Sequence, residues 1–465
     1  HMDKNSVYQV FREGWANDSD WLSLVTFNGD VPTYSWRNTE HHDQMSVEYY
    51  AKGDLLLADG GEDRYVLDKT YGRGEASHNT IAIEDPRKPF AVSTWADSPA
   101  RGMFKGTRLG IDTPSNIKNL VQAPWLEMVD VNATISKVQY DFDTSQDLTT
   151  PVRYERTIMY PDKDYMIAVD RLEGTQAWGY RTIFRPSGLS IDPTVDLNGD
   201  GQYTGNDIGH VNGDLAIGGS PYNWLSMGFK TETATGINTS LVGWGTTNPY
   251  GQAVNLQIYS VPSSEILVTK LAGRVGGQDP ASEVLGPVVY YRTAPTTSLY
   301  RATVLLPAYA AEAKRTAQTT PVVGKGNAIK VGGPGYTDYV YTGKGTSYFA
   351  SYKTDADTAF IRARNGAAAE ITFMAGSFMN YSGTSLIALS GKADYFTYSR
   401  SGNGFSFRIK SAGAGDVAIS KLDPTAKGYT VLKDGAPYSG WTLVDSQTMR
   451  VTNGGGEHKY DITWS

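Results

Sequence analysis

The sequence predicts an all-β protein, with a large antiparallel β-sandwich (a supersandwich) over residues 3–335 and a smaller C-terminal β-sandwich domain over residues 336–465. Two observations support this fold class. The chain contains 50 Gly and 30 Tyr, while long stretches of Ala, Leu, Glu and Lys are scarce, which is the composition of strands and turns. Apolar and polar residues also alternate in short segments that recur along the chain, a pattern typical of β-sandwiches.

Alternating segments predict the individual strands in order. In the first domain they are residues 7–12, 21–27, 46–50, 55–58, 79–83, 129–138, 152–160, 165–172, 254–261, 288–293 and 300–306. Residues 308–315 give the one short helical pattern. The segment 319–335 is rich in turn residues, which predicts a domain seam near residue 335. Beyond it, strands are predicted at residues 348–352, 358–363, 369–375 and 405–409.

Composition also excludes several classes of function. The chain has no Cys, so disulfides, thiol nucleophiles and Cys-based zinc sites are absent. No apolar run approaches 18 residues, so we expect no membrane association. The net charge of −7 argues against nucleic acid as a partner. A polyanionic substrate would therefore have to meet a local basic patch.

The histidines are distributed unevenly. Of six in the chain, His41, His42 and His78 lie in one window that also contains Asp59. If residues 46–50 and 55–59 form a hairpin, the start of its first strand lies beside the end of its second. His41, His42 and Asp59 would then be neighbours, and His78, which begins another strand, could close the group. Imidazole and carboxylate groups move protons near neutral pH and bind zinc-like metals.

This group predicts a divalent-metal site. Two imidazoles and one carboxylate can hold Zn²⁺ or a similar ion and leave a position open for water or substrate. In extended backbone, His41 and His42 would face opposite sides. One of the two can then bind the metal while the other points into a cleft, and the residues alone leave open which does which.

The window resembles the heparinase II/III-like polysaccharide lyases. The shared pattern comprises His41-His42-Asp43, Gly53, residues 56–61 (Leu-Leu-Ala-Asp-Gly-Gly), Tyr65, Arg73 and residues 78–81 (His-Asn-Thr-Ile), with residues 10–15, Arg156 and Asp170-Arg171 on its flanks. The resemblance covers roughly residues 6–335. It implies cleavage of a uronate-containing polysaccharide by β-elimination, in a cleft between this β-sandwich and an N-terminal α/α toroid. It also implies a catalytic His and a metal held by His, Asp and His on the sandwich.

From this resemblance we expect His41 to be catalytic and His42, Asp59 and His78 to hold the metal. The reverse assignment of His41 and His42 is nearly as well supported, because many members have a His-x-His-x-Asp arrangement and Thr39 occupies the place of the earlier histidine here. The sequence shows no run of paired amphipathic helices. We therefore expect a lyase portion that completes its site with a toroid of the same parent protein and has weak or no activity alone.

A second metal site is predicted in residues 196–207. Oxygen ligands fall at positions 1, 3, 5, 7 and 12 of a twelve-residue loop, with Gly at position 6 for the sharp turn, which favours Ca²⁺. The five candidate ligands are Asp196, Asn198, Asp200, Gln202 and Asp207. The alternative interpretation is a solvated Asp/Asn/Gly turn, and in either case the role is structural.

Substrate and location are expected from weaker signals. Arg73 is the candidate for binding substrate carboxylates, because a guanidinium pairs with them in bidentate fashion. An acidic chain favours alginate or another unsulfated polyuronate over a heparin-type polymer. We expect a secreted or periplasmic bacterial location, because many bacterial secreted enzymes also lack Cys. The rival functions are a non-catalytic carbohydrate-binding or structural module, and a glycoside hydrolase with Asp43 and Asp59 as its carboxylate pair.

Overall fold

The computed structural model describes the second half of the chain almost continuously and the first half in segments. The described residues are 8–16, 19–26, 44–58, 78–84, 115–139, 145–186, 190–191, 230–233, 242–247, 250–262, 265–273, 284–309, 311–313 and 315–465. Every helix or strand among them is a β-strand, which confirms the all-β prediction. Within these ranges no helix is long and apolar enough to cross a membrane.

Two compact units divide the chain, one comprising His1–Leu299 with Thr303–Ala313 and the other Tyr300–Ala302 with Lys314–Ser465. This division falls before the predicted seam near residue 335. There, Gly333 pairs with Tyr336 across a hairpin, and the two-residue turn between them contains Gly335 at φ +76°. Gly and Pro mark tight hairpin turns as strongly as they mark linkers, so the turn residues of this segment are explained by the hairpin.

The first unit contains two sheets. A four-stranded antiparallel sheet consists of β1 (Tyr8–Arg12), β2 (Trp21–Val25), β3 (Val47–Ala51) and β4 (Asp54–Leu57), in that order. The described part of the second sheet has twelve strands: β5 (Ile81–Glu84), β6 (Ser115–Ala123), β7 (Leu126–Gln139), β8 (Ser145–Pro161), β9 (Met166–Phe184), β10 (Ser190–Ile191), β11 (Lys230–Thr233), β12 (Val242–Thr247), β13 (Ala253–Val261), β14 (Glu265–Gly273), β15 (Val284–Arg292) and β16 (Thr296–Tyr309).

The predicted hairpin at the histidine window is confirmed. Strands β3 and β4 pair antiparallel, with Ala51 opposite Asp54 and a two-residue turn between them. Lys52 and Gly53 in that turn both have positive φ, +58° and +76°. This is the backbone that matches the twist of a two-residue hairpin, and Gly adopts it without steric cost.

One hydrophobic core joins the two sheets of the first unit. Inward-facing side chains of the small sheet, such as Leu22 and Val47, belong to the same buried cluster as Val129 and Ile158 of the large sheet. In β3 the burial alternates residue by residue, as expected for a strand with one face on a core. Two sheets that share one core in this way are a β-sandwich.

The short helix predicted at residues 308–315 is wrong for the residues that the structure describes. Ala308 and Tyr309 end β16, which lies between β13 and β9, and residues 311–312 form a turn. Ala308 is 6% exposed. Pairing within the sheet thus overrides the helix propensity of the alanines in this segment.

The second unit forms one fourteen-stranded antiparallel array. Its strands are β17 (Thr316–Thr320), β18 (Val322–Gly333), β19 (Tyr336–Phe349), β20 (Tyr352–Thr354), β21 (Thr358–Arg364), β22 (Ala367–Tyr381), β23 (Thr384–Ser401), β24 (Gly404–Ser411), β25 (Gly415–Ser420), β26 (Thr430–Lys433), β27 (Ala436–Pro437), β28 (Trp441–Asp445), β29 (Thr448–Asn453) and β30 (Gly456–Thr463). Stacked rings run through its core, with Phe396 5.5 Å and Tyr460 4.6 Å from Phe407 between ring centroids.

Candidate functional site

Three chain segments within the histidine window meet at one buried point, which we call the junction. The segments reach the junction at Gln44, Ala58 and His78. The side chain of Asn79 donates a hydrogen bond to the carbonyl oxygen of Ala58 at 3.1 Å, and the hydroxyl of Thr80 donates to the carbonyl oxygen of Gln44 at 2.7 Å. His78, Asn79 and Thr80 are all 0% exposed. Three described positions of the window are therefore fixed next to one another.

Asn79 is the hub of the junction. Its amide nitrogen Nδ2 also donates to the carbonyl oxygen of Val47 at 2.7 Å, and its Oδ1 accepts the backbone N–H of Arg185 at 2.6 Å. Its own backbone N–H donates to the hydroxyl of Ser46 at 2.9 Å. Because both donors and one acceptor of the amide are engaged, this side chain joins β3, the end of β4 and the end of β9.

A buried ion pair supports the junction from the large sheet. Arg156 on β8 and Asp170 on β9 lie directly opposite each other in the sheet and are both 0% exposed. The guanidinium donates to both carboxylate oxygens, at 2.7 and 3.1 Å. Its remaining terminal nitrogen, Nη1, donates to the carbonyl oxygens of Met45 and Asn79 at 2.7 and 2.8 Å. Arg156 therefore ties two of the converging segments to the core.

The charges in this pair are strongly coupled. Burial alone would lower the pKa of Arg156, but the adjacent Asp170 carboxylate outweighs it and holds that pKa above its ordinary value. The hydroxyl of Tyr154 donates to Asp170 at 2.9 Å, and burial raises the pKa of Tyr154 well above its usual range. The arginine thus stays charged and the tyrosine stays neutral at any physiological pH, so their hydrogen bonds persist.

Of the predicted zinc-like site, the structure describes only His78, which is fully buried beside Asn79. The predicted catalytic residue His41, the predicted ligands His42 and Asp59, and the predicted substrate residue Arg73 lie outside the described residues. The calcium loop at residues 196–207 lies outside them as well. Within the described ranges no group of three His, Asp or Glu side chains is arranged to hold a metal ion.

The roles of Asn79, Arg156 and Asp170 were missed at the level of sequence, although all three belong to the pattern shared with the lyase family. The available signal was a charge inside an apolar strand. Asp170 follows Ile167, Ala168 and Val169, and such a carboxylate is buried only with a partner. Naming that partner required the strand pairing, which sequence periodicity does not give.

A polar cleft of about 620 Å³ lies elsewhere in the first unit. It is lined by Glu13, Gly14, Ser19, Asp20, Lys52, Asp162, Lys163, Asp164 and Tyr309. Asp20 is 8% exposed, and its Oδ1 accepts the backbone N–H of Lys52 at 2.9 Å. Burial raises the pKa of Asp20 to about 6, opposed by the Lys52 interactions and assisted by Glu13. This carboxyl can therefore exchange a proton close to neutral pH.

Replacement of Asp20 by Asn is expected to stabilise the protein at pH 8 by about 2 kcal/mol. The folded-state pKa is raised from 3.8 to about 6, so the native state disfavours the carboxylate and stability is lost as the pH rises through 6. Asn keeps the acceptor for Lys52 without the charge. Denaturant unfolding at pH 8 and pH 4 measures the gain, which should vanish at pH 4.

Asp162→Asn is the matched control for this prediction, because it removes the same charge from an exposed position of the same cleft. We expect it to change stability by less than about 0.5 kcal/mol. Equal effects of the two variants, or a gain for Asp20→Asn that persists at pH 4, would contradict a penalty specific to the buried carboxylate.

Fold and junction together define a class: an antiparallel β-sandwich domain in which Asn79, Arg156 and Asp170 hold segments of a histidine-bearing window together. Residues 4–199 match the family model described as "Heparinase II/III-like, C-terminal". This match agrees with the resemblance inferred from the sequence, and it covers most of the first unit's N-terminal two thirds. A comparison with curated proteins finds no significant match.

A comparison with solved structures finds two heparin-type lyases among its matches. A crystal structure of heparinase III aligns with a TM-score of 0.45 and 13% identity, covering 74% of this chain and 41% of that one. Heparan sulfate lyase HepC from Pedobacter heparinus aligns with a TM-score of 0.42 and 12% identity, covering 75% of this chain and 41% of that one. The chain thus spans about two fifths of the length of these lyases.

Proposed function

We propose that this chain is the β-sandwich portion of a polysaccharide lyase that cleaves a uronate-containing polysaccharide by β-elimination. The observation that carries the proposal is the junction, which brings Gln44, Ala58 and His78 together within the region that matches the lyase family. His42 lies two residues before Gln44, and Asp59 directly follows Ala58. Because consecutive Cα atoms are about 3.8 Å apart, the chain allows His42 and Asp59 to lie only a short distance from the junction.

In the proposed reaction a base removes the proton at C5 of a uronate, the bond from C4 to its oxygen breaks, and an acid protonates the departing oxygen. A double bond then joins C4 and C5 of the new chain end. The sandwich would contribute His41, whose imidazole can take or give a proton near neutral pH. Arg73 would pair with the uronate carboxylate and make the C5 proton more acidic.

His42, Asp59 and His78 are the proposed metal ligands. Their donor set, two imidazoles and one carboxylate, suits Zn²⁺ or a similar ion, and the complete burial of His78 beside Asn79 suits a fixed ligand. Bound there, the ion would supply positive charge and hold its ligands in one orientation. The ligand residues themselves would link three loop ends, so their main contribution is to keep His41 and Arg73 in place.

The proposed substrate is alginate or a similar unsulfated polyuronate. The chain carries 42 Lys and Arg against 49 Asp and Glu, which suits a polymer with one charge per sugar better than a highly sulfated one. The proposed partner that completes the cleft is an N-terminal α/α toroid of the same parent protein. A bacterium meets such a polysaccharide outside its cytoplasm, so we propose a secreted or periplasmic bacterial location.

The experiment is ultraviolet absorbance of the unsaturated uronate during incubation with alginate, heparan and pectin-type polymers. This chain and a form extended N-terminally through the toroid are compared. We expect a rise with alginate in the extended form, a loss of at least a hundredfold in rate with His41→Ala, and no change with the control His458→Ala. His458 pairs with Asp434 in the second unit.

Other outcomes separate the rival functions. If His42→Ala abolishes the rise but keeps the bound metal, the roles of His41 and His42 are exchanged. Cleavage without an unsaturated product would indicate a glycoside hydrolase and sink the elimination proposal. If neither form cleaves any polyuronate, a non-catalytic carbohydrate-binding or structural module with a structural metal becomes the better explanation.

Metal content tests both proposed cofactors. Purified protein is expected to carry one zinc-like ion that is lost in His78→Ala, and one Ca²⁺ that is lost in a variant with Asp196→Asn and Asp200→Asn. Calcium chelation should lower the Tm without lowering the zinc content, because the two proposed ligand sets are separate. Metal analysis by mass spectrometry gives both counts. If an ion is retained in the variant that lacks its proposed ligands, that ligand set is wrong.

A further inference from the structure

The second unit contains a pocket of about 280 Å³ that the proposed lyase chemistry does not use. Its walls come from β22, β23, β25 and the turns next to them, and its lining residues are Gly366, Ala367, Ala368, Ile371, Tyr381, Leu386, Ile387, Tyr398, Arg400, Ile419, Ser420 and Lys421. This volume is near the lower end of the range for small-molecule sites, roughly 300 Å³. It suits a ligand of one or two rings.

The floor of the pocket is apolar and rigid. Ile371, Ile387 and Ile419 are 2%, 1% and 2% exposed. They come from three adjacent strands, since Ile387 on β23 pairs with Ile419 on β25 and β22 pairs with β23 on its other side. Tyr398 lies opposite Ile371 in that pairing. A ring can therefore rest on side chains that the sheet holds in place.

Two cations stand at the rim. The guanidinium of Arg400 donates to the carbonyl oxygen of Lys421 at 3.2 Å, and the ammonium of Lys421 lies 5.2 Å from the ring centre of Tyr381. Both side chains belong to exposed residues. Across residues 315–465, neither forms an ion pair with a carboxylate within 4 Å, unlike Arg364, Arg408 and Lys410.

The acidic group that interacts with Arg400 is already engaged. The carboxylate of Asp423 accepts hydrogen bonds from the backbone N–H and the hydroxyl of Thr425, at 2.9 and 2.7 Å. These bonds, more than Arg400, lower the pKa of Asp423. The guanidinium of Arg400 lies 5.7 Å from the ring centre of Trp464, and Arg400 and Lys421 outnumber Asp423, so the rim has a net positive charge.

We infer that this pocket binds one uronate-type sugar of an acidic oligosaccharide. The C–H face of a pyranose packs on aromatic and aliphatic side chains, here Tyr381 and the isoleucine floor. Its carboxylate accepts charge-assisted hydrogen bonds from Arg400 and Lys421. An inorganic anion would gain nothing from the apolar floor, and a neutral sugar would lack the charge-assisted hydrogen bonds to the two cations.

This site would bind the sugar without cleaving it. The inference therefore goes beyond the proposed lyase function and does not depend on it. A second point of attachment for the same class of polymer would raise the local concentration of substrate at the first unit. The lyase assay and the binding experiment have different readouts, so failure of one proposal is distinguishable from failure of the other.

Calorimetric titration of the full chain with an oligouronate of four sugars tests the inference. Arg400→Gln and Lys421→Asn remove the charges, and Asn suits position 421 because its φ is +61°. The control Arg450→Gln removes an exposed cation outside the pocket whose contact with Asp416 is a long 3.9 Å. We expect about tenfold weaker binding for each pocket variant and unchanged binding for the control.

Ligand comparison completes the test. The carboxyl-reduced, neutral oligosaccharide and inorganic phosphate are each expected to bind at least about tenfold more weakly than the oligouronate. Equal binding of the neutral sugar would overturn the role of the two cations, and equal binding of phosphate would overturn the role of the ring. Unchanged oligouronate binding by both pocket variants would place the ligand elsewhere. Unfolding curves of the variants confirm that each one folds.

Discussion

Asp170→Asn lowers the free energy of unfolding of the first unit by about 3 to 5 kcal/mol, because it leaves the guanidinium of Arg156 buried without a counter-charge. The substitution hardly changes the volume of the side chain. It removes a bidentate ion pair between two side chains that are 0% exposed, and it weakens the hydrogen bond from Tyr154. The loss is expected to exceed that of a typical point substitution, which is about 1 kcal/mol.

Guanidinium chloride unfolding of the full chain, followed by tryptophan fluorescence and circular dichroism, measures this loss. The matched control is Asp416→Asn, whose carboxylate forms an exposed pair with Arg450 and should contribute less than about 1 kcal/mol. The double variant Arg156→Met with Asp170→Leu should recover part of the stability, since an apolar pair leaves no buried charge. A loss from Asp170→Asn no greater than the control's would show that the pair is not essential to the unit.

Asn79→Asp is expected to have the second large effect. It lowers the free energy of unfolding of the first unit by about 3 to 5 kcal/mol at neutral pH. The Oδ1 atom that accepts from Arg185 is retained, but Nδ2 becomes an oxygen that faces the carbonyl oxygens of Val47 and Ala58. Two hydrogen bonds are lost and a buried charge is added. The introduced carboxyl should have a raised pKa, so the loss of stability is full above that pKa and shrinks as the pH falls below it.

Unfolding at pH 5 and pH 8 checks this dependence, with Asn403→Asp at an exposed turn as the control. A second readout follows from the junction. Since Asn79 links the backbone of Ala58 to that of His78, its loss should also weaken zinc binding by the proposed ligands Asp59 and His78, by about tenfold or more. Normal zinc affinity in a folded Asn79→Asp protein would contradict the link between junction and metal.

Periodicity predicted most of the strands but not their lengths. The segment predicted at residues 369–375 is part of β22, Ala367–Tyr381, which runs on through two register shifts near Gly376 and Met379. A bulge moves the following side chains to the other face of the sheet, so alternation stops being visible although the strand continues. The hairpin at Lys52-Gly53 was predictable because its turn residues leave few alternatives.

The side chains that support the histidine window could not be predicted from the sequence. The uneven distribution of histidines pointed to residues 41–79, and the structure brings three positions of that window together at Gln44, Ala58 and His78. The Arg156–Asp170 pair that supports the window is separated by 14 residues in sequence and becomes adjacent only through the pairing of β8 with β9. Contacts of that kind depend on strand register, which a single sequence does not specify.

The convergence of Gln44, Ala58 and His78 has a consequence for how such a domain can diversify. The anchor points are held by hydrogen bonds from Asn79, Thr80 and Arg156 to the backbone carbonyl oxygens of Gln44, Met45, Ala58 and Asn79. Closing a longer loop on fixed ends costs little, about 0.6 kcal/mol for each doubling of its length. The segment between Ala58 and His78 is therefore expected to tolerate changes of length. We expect a segment of different length or sequence to be accommodated there with the anchor points left intact.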